Sequence, residues 1–174
     1  MKIQLRPVDL KDGRTIVNWR NDTLVREHCR THTPITEEVN EGFYHNFVET
    51  GKYKQYIVEK IDEEYGVFSY AIATIYLKDV DYNNKSAELC LFTSNDREWN
   101  AESQVLAIDK ILEIAFNELN LQTVYSYTFK KFLKEAEILS PFGFVMESSY
   151  NKDDLVKYTL DFQQWNNKSD GELI

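Results

Sequence analysis

Glu88 lies inside a strand-like stretch, residues 86–93, and a carboxylate held on a strand can act as a general base. The ordinary glutamate pKa is near 4.3, so the work requires burial or a water chain to make the group more basic. The alternative is a strand glutamate facing solvent. Beyond it, a short polar turn leads into a long amphipathic helix starting near Ala101. A helix tip presents unpaired backbone N–H groups and a positive dipole end, where an anion can dock. Asn100, Ala101, Glu102, Ser103 and Gln104 therefore form a candidate phosphate site, although none of them is glycine. Cys90 reads as a small buried strand residue, since a nucleophilic thiol needs an adjacent base. His28, Cys29 and His32 resemble a metal cluster, but no further ligands follow at a convincing spacing. No metal site is expected, and His45 has no evident partner.

The elements that must position these groups follow from pattern. Residues 2–6 alternate and stop at Pro7; Asp9 can cap a helix to about Arg20, and Asn21-Asp22 breaks it. A second helical piece covers residues 24–30. A third starts after Thr36 and ends at Gly51. Strands are expected over 54–61, 67–77 and 86–93, the last two joined by the turn Asp81-Tyr82-Asn83-Asn84. The long helix carries Val105, Ile108, Leu112, Ala115, Phe116 and Leu119 as one stripe, with Asn120 at its C-terminal end. A strand over 123–129, a short helix from Lys131 to about Leu139 stopped by Pro141, and a hairpin over 144–149 and 155–162 complete the order. Residues 1–165 read as one α/β domain, a mixed and mostly antiparallel central sheet of about seven strands with flanking helices. Residues 166–174 read as a polar tail.

The chain has 174 residues, 43% apolar and 28% charged, which suits a globular domain. No stretch approaches a membrane span. Two isolated cysteines do not make a disulfide framework and fit a reducing cytoplasm. A net charge of −9 argues against a nucleic-acid surface. It would suit a cationic or amine-bearing substrate, or simply maintain solubility.

The text of the chain resembles the GNAT superfamily of acetyl-CoA-dependent N-acetyltransferases. It is closest in wording to the branch like the ribosomal-protein N-terminal acetyltransferases. The similar pieces are Leu5-Arg6-Pro7, Trp19-Arg20-Asn21-Asp22, Pro34-Ile35-Thr36, Ala87-Glu88, Trp99, Ala107, the run from Ala115 to Leu121, and Gly143-Phe144. The resemblance implies a sheet whose central parallel strands splay to admit the acetyl-pantetheine arm. It implies that the backbone of Leu91, Phe92 and Thr93 bonds the thioester end, and that residues 100–104 cradle the pyrophosphate. It implies direct attack of an amine, with Glu88 as the base. Trp19, Arg20 and Asn21 would wall the acceptor side, and Lys130, Lys131 and Lys134 would meet the 3′-phosphate of CoA or remain solvated.

The acetyl-CoA motif is degenerate. Asn100, Glu102 and Gln104 stand where small residues are usual; glycine eases close approach and positive φ. A Glu102 carboxylate about 5 Å from a phosphate would oppose binding by about 3 kcal/mol per charge pair. Leu139 stands where a tyrosine commonly protonates the leaving thiolate, and Phe132 where an asparagine is usual. Tyr125, Tyr127 or Tyr150 are the available substitutes. The resulting expectation is a cytoplasmic N-acetyltransferase, monomer or homodimer, acting on a protein N-terminus, an amino sugar or a small amine. The alternative is a GNAT-fold binding or regulatory module that has lost acetyl-CoA use.

Overall fold

Period-two burial in the strands and capped helix starts build the domain, which a computed structural model describes for residues 1–64, 68–91, 93–147 and 154–169. Strand β1 (Ile3–Pro7) is followed by a 3-10 turn that Asp9 and Asp12 close as a reciprocal capping box. The turn feeds α1 (Gly13–Asn21), which buries Ile16, Val17 and Trp19. Asp22 caps α2 (Thr23–Glu27) and Thr36 caps α3 (Glu37–Phe43). A π turn, Tyr44–Val48, extends α3, and Gly51 at φ 78° then turns the chain back. Strands β2 (Lys54–Asp62), β3 (Phe68–Asp81) and β4 (Ser86–Cys90) follow. In the β3–β4 turn the Asp81 carboxylate accepts the backbone N–H groups of Asn83 and Asn84, the chemistry its sequence suggests.

The crossover helix α4 (Ala101–Glu113) runs on as a π turn, Ile114–Glu118, and Asn120 ends it at φ 54°. Next come β5 (Thr123–Phe129), β6 (Val145–Met146), β7 (Leu155–Asp161) and α5 (Phe162–Ser169). Among the described residues seven strands lie in the order β1-β2-β3-β4-β5-β7-β6, and of these only β4 and β5 pair in parallel, because α4 carries the chain across between them. Alternation divides the sheet's two faces. Leu77, Ala87, Leu89 and Val124 join Ile108, Ile111 and Leu112 of α4 in the main core. On the opposite face, where Trp19 and Ile16 pack on Ile57, stand Tyr76, Lys78, Glu88 and Cys90. Among the described residues no helix is long and apolar enough to cross a membrane.

Several boundaries differ from the sequence pattern: the helical piece expected over 24–30 is Thr23–Glu27, and the strand expected to end at 77 reaches Asp81. The strand expected over 86–93 stops at Cys90. The short helix expected from Lys131 is two 3-10 pieces, Lys130–Phe132 and Glu135–Phe142, the second containing Pro141. Three-residue spacing stacks its buried Ala136 and Leu139 on one edge. The polar segment from Asn166 is helical as far as Ser169, because Phe162 and Trp165 of the same helix lie on Phe116 at 5.8 and 5.1 Å between ring centroids.

The segment between α2 and α3 is strapped across the sheet by side chains of α1 and α2. Asn21 donates to Ile35 O and accepts from Ile35 N, both at 2.8 Å, as a strand partner would. Arg20 donates to Thr31 O, and Arg26 to His32 O at 3.4 Å. Asn21→Ala removes both bonds to Ile35. At about 1 kcal/mol net per bond, it is expected to lower the melting temperature by about 4–8 °C, measured by scanning calorimetry.

Candidate active site

The backbone ladder between β4 and β5 runs Ser86↔Thr123, Ala87↔Val124, Glu88↔Tyr125 and ends there, although β4 continues to Cys90 and β5 to Phe129. Past that point the Ser126 hydroxyl donates to Leu89 O at 2.9 Å, so a side chain replaces a backbone rung. On the other edge, the β3–β4 ladder ends at Tyr76↔Cys90. The hydroxyls of Thr93 and Ser94 then take over, donating to Thr74 O and Ile72 O of β3. Leu91 and Thr93 thus continue β4 outside either ladder, and both are buried. Phe92 lies outside the described residues.

A cavity of about 250 Å³ opens beside this gap, on the face beneath α1, α2 and α3. Glu88 lines it with a side chain only 9% exposed. Its carboxylate receives the Arg30 guanidinium at 2.6 Å and faces the Lys78 ammonium at 3.8 Å. Burial raises the Glu88 pKa; Lys78 and Arg30 pull it down, and burial wins. The solvent-facing alternative for this residue is therefore not what the fold gives. Cys90 lies in the same wall, and burial pushes its thiol far above the ordinary cysteine range, which makes it the inert strand residue expected from sequence.

The helix tip is occupied by its own cap. Asn100 Oδ1 accepts from the backbone N–H groups of Glu102 at 3.0 Å and Ser103 at 3.3 Å, while Asn100 N–H donates to Ser103 Oγ. Two amides of the expected phosphate cradle are thus already bonded. The strain anticipated from the missing glycines does not arise, since Asn100 sits at φ −101° and neither Glu102 nor Gln104 has positive φ. Ser103 is fully buried and also donates to Glu98 O. Gln104 Nε2 reaches Trp99 O at 3.3 Å. Ala101 is exposed at the first helical position. The Glu102 carboxylate is 60% exposed and turned towards the Met1 amine, 2.8 Å away beside β1.

Leu139 is buried in the core at 2% exposure, so no acid group stands at that position. Phe132 stacks on His28, ring centroids 3.8 Å apart, tying α2 to the end of β5. Lys130 lies 3.9 Å from Asp154, Lys131 covers the Phe132 ring, and Lys134 is exposed. His28 Nδ1 pairs with Leu24 O and the Cys29 thiol with Val25 O. No group of three or more potential ligands stands together among the described residues. Of the tyrosines considered as proton donors, Tyr127 lines the cavity with Arg30 over its ring at 4.6 Å. Tyr125 is half-buried beside it, and Tyr150 lies outside the described residues. Sequence reasoning missed Tyr53, Tyr76, Arg30 and Lys78. Burial and then Asp79 raise Tyr53, and the neighbouring Cys90 and then burial raise Tyr76, so both stay protonated at neutral pH. The strand period from Glu88 back through the turn reaches Lys78 only if the β3–β4 register is known. Nothing local marks Arg30.

The family model for the acetyltransferase (GNAT) domain matches residues 2–145. The chain belongs to that family. It is an acetyl-CoA-dependent N-acyltransferase, the activity that the resemblance in its sequence implied. No curated protein matches it significantly. Solved structures are similar in fold. A spermidine N-acetyltransferase from Vibrio cholerae in complex with CoA and spermine superposes with a TM-score of 0.81 at 19% identity, covering 95% of this chain and 98% of that one. A domain from Methanocaldococcus jannaschii superposes with a TM-score of 0.77 at 10% identity, covering 92% and 98%. The Vibrio cholerae enzyme in a dodecameric intermediate state gives 0.68 at 18% identity, covering 96% and 98%. At such identities the likeness is one of GNAT architecture.

The repulsion argued from sequence for Glu102 loses its geometry in this arrangement. Glu102→Ala is expected to leave the acetyl-CoA dissociation constant unchanged within about twofold, about 0.4 kcal/mol, by isothermal calorimetry. A tightening of about a hundredfold would restore the repulsion.

Proposed function

We propose that this transferase N-acetylates a primary amine at the gap between β4 and β5, with Glu88 as the general base. The carrying observation is the buried Glu88 carboxylate at the last rung of the parallel β4–β5 ladder, facing a cavity. Acetyl-CoA supplies the acetyl group as an activated thioester. The opened strand end fits an extended thioester arm, and in this reading the backbone of Leu91, Phe92 and Thr93 holds it. Residues 100–104 hold the diphosphate once the Asn100 carboxamide swings off the amides of Glu102 and Ser103. The chain's own chemical task is to convert the incoming ammonium to the nucleophilic amine. A carboxylate made more basic by burial performs that transfer better than a solvated one. Arg30 and Lys78 orient it, Tyr76 keeps its hydroxyl proton at the same cavity, and Tyr127 lines that cavity beside it.

The acceptor is a protein N-terminus, an amino sugar or a small amine. The ribosomal-protein-like wording of the sequence favours the first, and the polyamine enzymes of similar fold favour the last. A module without acetyl-CoA use accounts for the self-capped helix tip but gives no role to a buried base beside an opened ladder. The setting is cytoplasmic and the working unit a monomer or homodimer.

Glu88 must be ionised to accept a proton, and its pKa is raised. The rate is therefore expected to fall as pH drops through a value above the ordinary 4.5. Glu88→Gln should lower kcat by about 10²–10⁴-fold and abolish that acidic limb, measured by CoA thiol release across pH. Full turnover in the variant would remove the base. Asn100→Ala frees the two capped amides. It is expected to cost about 1 kcal/mol of stability and to tighten acetyl-CoA binding by about fivefold, with melting and calorimetry as the paired readouts.

A further inference from the structure

A second cavity, about 340 Å³, adjoins the one that holds Glu88. Arg20, Cys29, Thr31, Phe43, Tyr76 and Thr93 line both, so a single molecule can occupy the two together. Ile16, Ile35, Val39 and Phe43 give the second chamber an apolar side, and Asn40, Gln55 and Thr74 add neutral polar groups to its wall. Arg20 is the one charged residue among its described lining. The guanidinium gives one nitrogen, Nη2, to Thr31 O. Its Nη1 is buried and has no hydrogen-bond partner among the described residues. Nor does Arg20 form an ion pair with any described carboxylate. Arg30 and Lys78, the other cations at the cavities, are matched by Glu88 and Asp79. Arg20 is half-buried and lines both chambers, and a guanidinium without a carboxylate partner leaves an anion as its natural match. One anionic oxygen within the chambers supplies that match. A carboxylate suits a guanidinium best, through charge-assisted N–H···O bonds.

Resting on the acyl-transfer reading above, we propose that the acceptor is an amino acid with an apolar body. Its amine faces Glu88, its carboxylate is read by Arg20, and its side chain fills the Ile16–Val39 side of the second chamber. Arg20 is then the residue that sets specificity. A polyamine fits poorly, because it would bring further positive charge into a chamber whose one charged residue among the described lining, Arg20, is already positive, and would leave that guanidinium without an anion. A peptide N-terminus offers only a neutral carbonyl at the same place.

The test compares L-leucine, L-leucinamide and spermidine as acceptors for the full chain with acetyl-CoA, reading thiol release, and as ligands by calorimetry. L-leucine is expected to exceed L-leucinamide by about tenfold or more in kcat/KM and in affinity, the span of one charge-assisted contact. In Arg20→Gln that preference should collapse towards unity, through KM more than kcat. Because Arg20 also holds Thr31, the variant's melting curve is taken alongside. Should it fail to fold, the comparison on the unmutated protein decides alone. Equal or better use of L-leucinamide or spermidine overturns the proposal and leaves the transfer reading standing. Selective L-leucine binding without thiol release from any acceptor supports the Arg20 site and overturns the transfer reading. Equal binding of leucine and leucinamide, or none, with no turnover, overturns the site as well.

Discussion

Hydrogen bonding between β4 and β5 is satisfied by backbone rungs up to Glu88↔Tyr125 and by side-chain hydroxyls beyond it. Everything else at the site depends on that exchange. A sheet that kept pairing to Cys90 and Phe129 would close the gap with its own amides, and no extended ligand could enter. Instead Ser126 satisfies Leu89 O, while Thr93 and Ser94 tie the outgoing chain to β3. Buried carbonyls thereby find partners without zipping the strands together. The opening is held by short hydroxyl side chains, at little cost in unsatisfied polar groups.

At the last rung the alternation of the strand turns Glu88 away from the α4 core and towards the α1–α3 face. Three parts of the chain meet there. The segment after α2 brings Arg30, the bulged end of β3 brings Lys78, and β5 brings Tyr127. Two cations alone would keep the carboxylate strongly acidic. Burial outweighs them, leaving an ionisable group that is oriented by charge and made basic by desolvation. The strap that carries Arg30 is itself held by Arg20, Asn21 and Arg26. The Trp19-Arg20-Asn21 text is thus structural, and Arg20 also lines both cavities.

Charge shows how far an average can mislead. The molecule carries −9, which by itself suits a cationic partner. The cavity wall carries Arg20, Arg30 and Lys78 against Glu88. Fields at a ligand come from groups within a few ångströms and from how deeply they are buried, so the local balance, opposite in sign, governs what binds.

The sequence by itself determined the order of elements, the strand that carries Glu88 and the membership of the GNAT family. Hydrophobic period, helix starts at Asp9 and Thr36, and the turn at Asp81 are local signals, read from neighbours a few residues apart. It also located the helix tip, but not that Asn100 would cap it in place of a ligand or that Glu102 would turn towards Met1. It placed an acid at Leu139's position in doubt, and the fold buries that leucine. Tertiary structure alone decided where β4 stops pairing, that Arg30 and Lys78 flank Glu88, and that Arg20 lines two adjoining chambers with no carboxylate partner among the described residues. Those relations join residues far apart in the chain through register and packing, and neither spacing nor composition encodes a distance across a sheet.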